Sequence, residues 1–132
     1  MTVITNGHLT VATVALSAWV RSVTLEEESE EVDASCWGDT QRVYETGMSG
    51  ASMGVEFKQD YATSGPYQTI AGLYQTQAAF ILRPFAAAVS TSNPEWTGNV
   101  LVSKITHMNG DLGTLATMSA NWRAFDIATA YA

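Results

Sequence analysis

Apolar and polar residues alternate through most of the chain, and the alternation predicts strands. In "LSAWVRSVTL" Trp19, Val23 and Leu25 share one face, interrupted by Arg21, while Ser22 and Thr24 fall on the other, the period of a half-buried strand. "SMGVEFKQDY" repeats the pattern, with Met53, Val55 and Phe57 between Gly54, Glu56 and Lys58. "AAFILRPF" predicts a strand that stops at Pro84, whose ring nitrogen cannot donate to a ladder. "TGNVLVSKITH" and "TLATMSANWRAF" are rich in β-branched and apolar residues, and Asn109-Gly110 between them suits the two positive-φ positions of a type I′ turn. These two segments are expected to pair as an antiparallel hairpin.

One segment has a different period. In "SGPYQTIAGLYQTQ" Tyr67, Ile70, Ala71 and Tyr74 are spaced i, i+3, i+4, i+7 behind Pro66, a good first helical residue, and predict one short helix near residues 66–76. Two Gly-, Ser- and Thr-rich stretches predict ordered loops, one near residues 37–51 and one across "AAAVSTSNPEWTG". Loops of such length in a small domain are usually functional or covered by a partner. No repeat or low-complexity segment interrupts residues 1–132, which are expected to form a single domain.

With 132 residues, 46% of them hydrophobic, the chain can build a core without staples. Only 14% of residues are charged, against roughly 25% in a typical soluble domain, so much of the polar surface is Ser, Thr, Asn, Gln and Gly. Such a surface suits a protein covered by copies of itself. The net charge is −7 and the six basic residues are scattered singly, the opposite of what tight binding to the phosphate backbone needs. The apolar run from Val11 to Val20 is too short to span a membrane and lacks a preceding basic region, so the chain is expected to be soluble and unexported.

Catalytic chemistry finds little to work with. His8 and His107 are the only histidines and are expected to play surface or strand-end roles. Cys36 is the sole cysteine, has no cationic neighbour to lower its pKa, and is expected to be a half-buried packing residue. "TGMSGASMG" carries no lysine and introduces a strand, so it is no phosphate loop. No cofactor or metal is implied.

The densest chemical signal is "EEESEEVD", in which Glu26, Glu27, Glu28, Glu30 and Glu31 crowd into six residues. The run has neither the ligand spacing nor the glycine of a calcium loop. Five carboxylates on one segment share their exposure, whereas catalytic pairs need distinct environments. The plainest reading is a solvated, charged hairpin tip.

Taken in order, "LSAWVRSVTLEEESEEVDASCWGDTQRVYETGMSGASMGVEFKQDY" and "FILRPFAAAVSTSNPEWTGNVLVSKITHMNGDLGTLATMSANW" resemble the tail tube (major tail) proteins of long-tailed bacteriophages across most of residues 16–122. The resemblance implies a mainly β fold, a β-sandwich or barrel of two antiparallel sheets flanked by one short α-helix. It implies a structural protein, not an enzyme, that forms hexameric rings stacked into a tube. Strands of neighbouring subunits would line the channel, with Glu26, Glu28, Glu30 and Glu56 as candidate lumen acids repelling DNA. Trp37, Asp39, Arg42, Tyr44 and Met48 would reach an adjacent subunit or ring, and Asn93, Glu95 and Trp96 would form a second interface loop. The implied partners are further copies, a tape measure, a tail terminator and a distal tail protein, with viral DNA passing through without tight binding and no membrane involved. The implied location is the virion tail, after assembly in the host cytoplasm. The alternative is a monomeric β-sandwich module that stacks a carbohydrate or other ligand on the loop tryptophans Trp37 and Trp96.

Overall fold

Burial follows the alternation in the computed structural model, which describes Ile4 and residues 6–131. Met53, Val55 and Phe57 are buried on one strand, and Met118, Ala120, Trp122 and Ala124 on another, each separated by more exposed residues. Side chains one residue apart point to opposite faces of a pleated strand, so this spacing commits one face to the core. The strands are β1 (His8–Val11), β2 (Val14–Ala15), β3 (Val20–Asp33), β4 (Tyr44–Lys58), β5 (Gln77–Arg83), β6 (Glu95–Leu101) and β7 (Thr117–Ala130). A 3-10 turn, Ser17–Trp19, leads into β3, and the helix α1 spans Pro66–Gly72. Among the described residues no helix is long and apolar enough to cross a membrane.

The mainly β, antiparallel class with one short helix matches the sequence expectation, but the two expected sheets are joined into one. Hydrogen bonding links seven strands in the order β2-β1-β5-β6-β7-β4-β3. The junction is β7. Its first half pairs with β4, from Thr117 opposite Lys58 to Ala124 opposite Ala51, and its second half pairs with β6, out to Ala130 opposite Glu95. A register shift between Thr97 and Asn99 bends the ladder there, and Asp126 takes a φ of 56° in the extra residue of β7. Gly98 sits in this corner because a Cβ would stand 3.0 Å from the Phe125 carbonyl oxygen and 3.1 Å from Cε1 of Phe80. One corner strand thus lets a continuous sheet fold over a core of Leu9, Val11, Leu16, Phe57, Phe80, Val100, Met118 and Trp122.

The connection between β6 and β7 differs from the expected tight turn. The strands pair, but residues 102–116 join them as a long irregular loop, and Asn109 is not at positive φ. The reason is the division of β7: residues 117–122 belong beside β4, so the chain must cross from one part of the sheet to the other before β7 begins. A two-residue turn does occur elsewhere, between β1 and β2, where Ala12 and Thr13 have φ of 50° and 67°.

The helix starts at Pro66 as expected and buries Pro66 and Ile70, but it ends at Gly72, four residues short of the expected end. Gln75, at φ 65°, donates its backbone N–H to the Val102 carbonyl at 2.7 Å and turns the chain into β5. β5 stops at Arg83, directly before Pro84.

Candidate functional site

The strands β3 and β4 pair along almost their whole lengths, from Val20 opposite Phe57 to Asp33 opposite Tyr44. Their inner halves belong to the body: Val23 and Leu25 pack against the core beside Met53 and Val55. β4 loses its other neighbour at Ala51, where pairing with β7 ends. Beyond that point the two strands continue as a two-stranded arm, exposed throughout. The expected loop near residues 37–51 is therefore shorter than the sequence suggested. Residues 44–51 are strand, paired with the acidic run, and only residues 34–43 form the tip. The acids accordingly lie within β3 rather than at a hairpin tip, because the Gly- and Ser-rich stretch opposite them extends to meet them.

Charge is distributed unevenly. Eight of the 13 acids and one of the six bases lie in residues 26–50, so this segment carries −7, while the rest of the chain has five acids and five bases and is neutral. The register puts Glu26 opposite Ser52, Glu28 opposite Gly50 and Ser22 opposite Glu56. Glu26, Glu28 and Glu56 thus share one polar sheet face with Ser119, Asn121 and Arg123 of β7. This face has a shallow concavity of about 500 Å³, walled by Glu26, Glu28, Glu30, Glu31, Ser52 and Arg123. Glu30 stands beside a second register shift, against Gly47, where a Cβ would lie 3.3 Å from its Oε2. Arg21 reaches Glu56 at 3.4 Å, an exposed pair of small energetic weight. Among the described residues no three His, Cys, Asp or Glu side chains converge as a metal site requires.

The tip is organised by its own short bonds. Ala34 N–H donates to the Val43 carbonyl at 2.8 Å, Val43 N–H to Ser35 Oγ at 2.8 Å, and Cys36 N–H to Asp39 Oδ2 at 2.7 Å. Gly38 supplies the positive φ of 95° that the turn needs. Asp33 accepts from Ser35 N–H at 3.0 Å and from Arg42 at 3.0 Å; the Ser35 side chain and backbone, then Arg42, hold its carboxyl below the ordinary range. Trp37 is fully exposed on this turn, and Met48, Tyr44, Val32 and Val43 are exposed along the arm. Cys36 is exposed too, contrary to its expected packing role, because the tip has no body beneath it to pack on.

The second expected interface loop divides. Asn93 is buried: its amide donates to the carbonyls of Phe85, Ala87 and Ala88 and its Oδ1 accepts from Phe85 N–H, so it ties the loop together. Glu95 and Trp96 begin β6, with Trp96 packed against the core. The tryptophans of the carbohydrate-binding alternative are therefore on separate elements, one at the free tip and one against the core.

A third surface escaped the sequence reading. In the loop of residues 102–116 Met108, Leu112 and Leu115 are exposed, Leu112 completely. His107 anchors this loop, its carbonyl accepting from Tyr61 Oη at 2.8 Å and its Nδ1 lying 2.8 Å from Tyr67 Oη. The three apolar residues were present in "MNGDLGTL", but a tight-turn reading left them no surface to occupy. At the other end of the sheet His8, which opens β1, is held below its ordinary pKa by partial burial and by Arg83, against a smaller opposing effect of Glu95.

No protein-family model and no curated protein sequence matches this chain. Among solved structures it is similar to the tail tube of SPP1 determined by solid-state NMR and cryo-electron microscopy, with a TM-score of 0.74 and 11% identity over 96% of this chain and 77% of that one. A chain from the virion of the native gene transfer agent particle aligns with a TM-score of 0.70 and 14% identity over 96% of this chain and 95% of that one. A chain of the sheath-tube complex of an extracellular contractile injection system, in its extended state, aligns with a TM-score of 0.65 and 11% identity over 100% and 92%. The chain has the tail tube fold.

Proposed function

We propose that this protein is the structural subunit of a phage-type tail tube, assembling into hexameric rings that stack around a passage for DNA. The observation that carries the reading is the arm: two strands whose outer edges are unpaired among the described residues leave the body and hold the whole net charge of the chain. Exposed strand edges in a monomer invite pairing and are normally blunted, so long open edges suit a chain that completes its sheet on neighbouring copies. The tail tube fold and the low charge of the remaining surface support the same reading.

In this arrangement the polar face with Glu26, Glu28, Glu30 and Glu56 lines the bore. Duplex DNA carries one negative charge per ~1.7 Å of its axis, and a wall of fixed carboxylates keeps it from adhering. Trp37, Asp39, Arg42, Tyr44 and Met48 serve contacts between copies, as does the start of β6 with Glu95 and Trp96. The tube works in the virion tail, is assembled in the host cytoplasm, and ends on a terminator and a distal tail protein around a tape measure. The role is structural, without a reaction to catalyse.

Negative-stain microscopy of the purified chain tests the first part: rings or hollow tubes are expected, and a strict monomer at high concentration refutes the proposal. Replacing Glu26, Glu28, Glu30 and Glu56 together by Gln tests the second. Tubes of unchanged form are expected, in particles that release DNA several-fold more slowly as the repulsion is removed. Loss of tubes would instead make these acids subunit contacts.

A further inference from the structure

The sheet folds over on itself but does not close. Between the outer edge of β3 and the ends of β1, β5 and β6 lies a groove of about 840 Å³. Its apolar wall includes Val23, Leu25, Leu82 and Trp96, and Arg21 and Arg83 stand on it. Arg83 forms no ion pair among the described residues, and its buried Nε has no acceptor there. Among the described residues Glu27 is the one acid on the groove wall.

Resting on the tube reading above, we propose that the groove receives the arm tip of another copy of this chain, with Trp37 seated on the apolar wall and the acids around it facing Arg21 and Arg83. The tip has the matching chemistry. Trp37 is fully exposed, held on a turn fixed by the Cys36 and Asp39 backbone and side-chain bonds, and the segment that carries it is acidic. A rigid aromatic anchor spends little entropy on docking, and tryptophan is among the residues that most often dominate an interface. The tip and groove of one molecule do not meet, since β3 carries the chain from Glu27, on the groove wall, to Asp33 at the base of the tip, roughly 20 Å of extended strand. The occupant is therefore a second copy. Two acidic arms repel each other, whereas an arm approaching Arg21 and Arg83 is attracted, which sets the direction of docking.

The native Cys36, next to Trp37 and the only cysteine, makes a direct test available. A Glu27→Cys substitution on the groove wall, where residue 27 shares the strand face of Val23 and Leu25, provides the only other thiol in the full chain. Tubes of this variant are oxidised with copper phenanthroline and run on a non-reducing gel, beside an Asn121→Cys variant whose thiol sits on the polar face. The expected result is a ladder of interchain disulfides from Glu27→Cys, none from Asn121→Cys, and a ladder weakened more than about tenfold when Trp37→Ala is added to Glu27→Cys. Tubes without the Glu27→Cys ladder, or with a ladder from Asn121→Cys as strong as that from Glu27→Cys, overturn the docking site and leave the tube reading standing. A chain that remains monomeric under the microscope removes both.

Discussion

Ala12 and Thr13 form the two-residue turn between β1 and β2 at φ of 50° and 67°, a conformation that suits Asn and Gly and strains residues with an ordinary Cβ. The double substitution Ala12→Asn, Thr13→Gly is expected to raise stability by about 1–2 kcal/mol, read as a higher urea midpoint with unchanged slope. Nothing in "VATVA" announces this turn, while Asn109-Gly110, which does announce one, lies in a loop. Local preference is small beside the demands of strand placement, so the sheet overrides it at both sites. Asp33 provides a titration at the same scale. Its carboxyl is held below its ordinary value of 3.8 by Ser35 and then by Arg42, so its contribution to tip order is present above that value and is lost as pH falls through the lower folded value. NMR is expected to show the Ser35 and Val43 amides losing dispersion only below pH 3.8, and Asp33→Asn producing part of that change at neutral pH.

Among the elements, the β3–β4 arm is the one that adds no core. Each buried Val, Leu, Phe or Met in the body contributes about 1.5–3 kcal/mol, whereas no side chain of residues 26–50 is buried and two strands alone are marginal in water. Excising residues 28–50 and joining Glu27 to Ala51 through Asn-Gly is therefore expected to leave the body folded, with a melting temperature within a few degrees of the parent. The same variant should form no tubes. Hydrogen exchange on the intact chain is expected to protect the amides of Met53 to Phe57 far longer than those of Glu26 to Gly50. The alternation of β4 was legible as far as Ser52. Its outer half was not, because glycine and serine carry no apolar face, and only pairing with β3 keeps them extended.

For the whole molecule, the decisive property is the separation of a neutral body from an arm of charge −7. In the proposed ring, bringing six such arms together costs repulsion that salt screens, with a Debye length of ~30 Å at 0.01 M and ~8 Å at 0.15 M. Assembly followed by light scattering is expected to be slow near 10 mM salt and at least about tenfold faster at 150 mM. A rate independent of salt would show that the arms do not converge. The exposed Met108, Leu112 and Leu115 lie on the body, outside this charged region, and offer apolar surface that repulsion between arms does not govern.

Which residues face inward, that most of the chain is strand, that a short helix begins at Pro66, and that the acids crowd into one segment were all determined by the sequence alone. Each is a local property: a period of two or of 3.6 residues, or a count of charges within a few positions. Only the tertiary structure decided that two expected sheets are one, that β7 changes partners at a corner beside Gly98, and that the acids lie along a projecting strand. Those outcomes depend on which distant strand each edge finds, and alternation specifies the face a residue occupies without specifying the neighbour to which its backbone bonds.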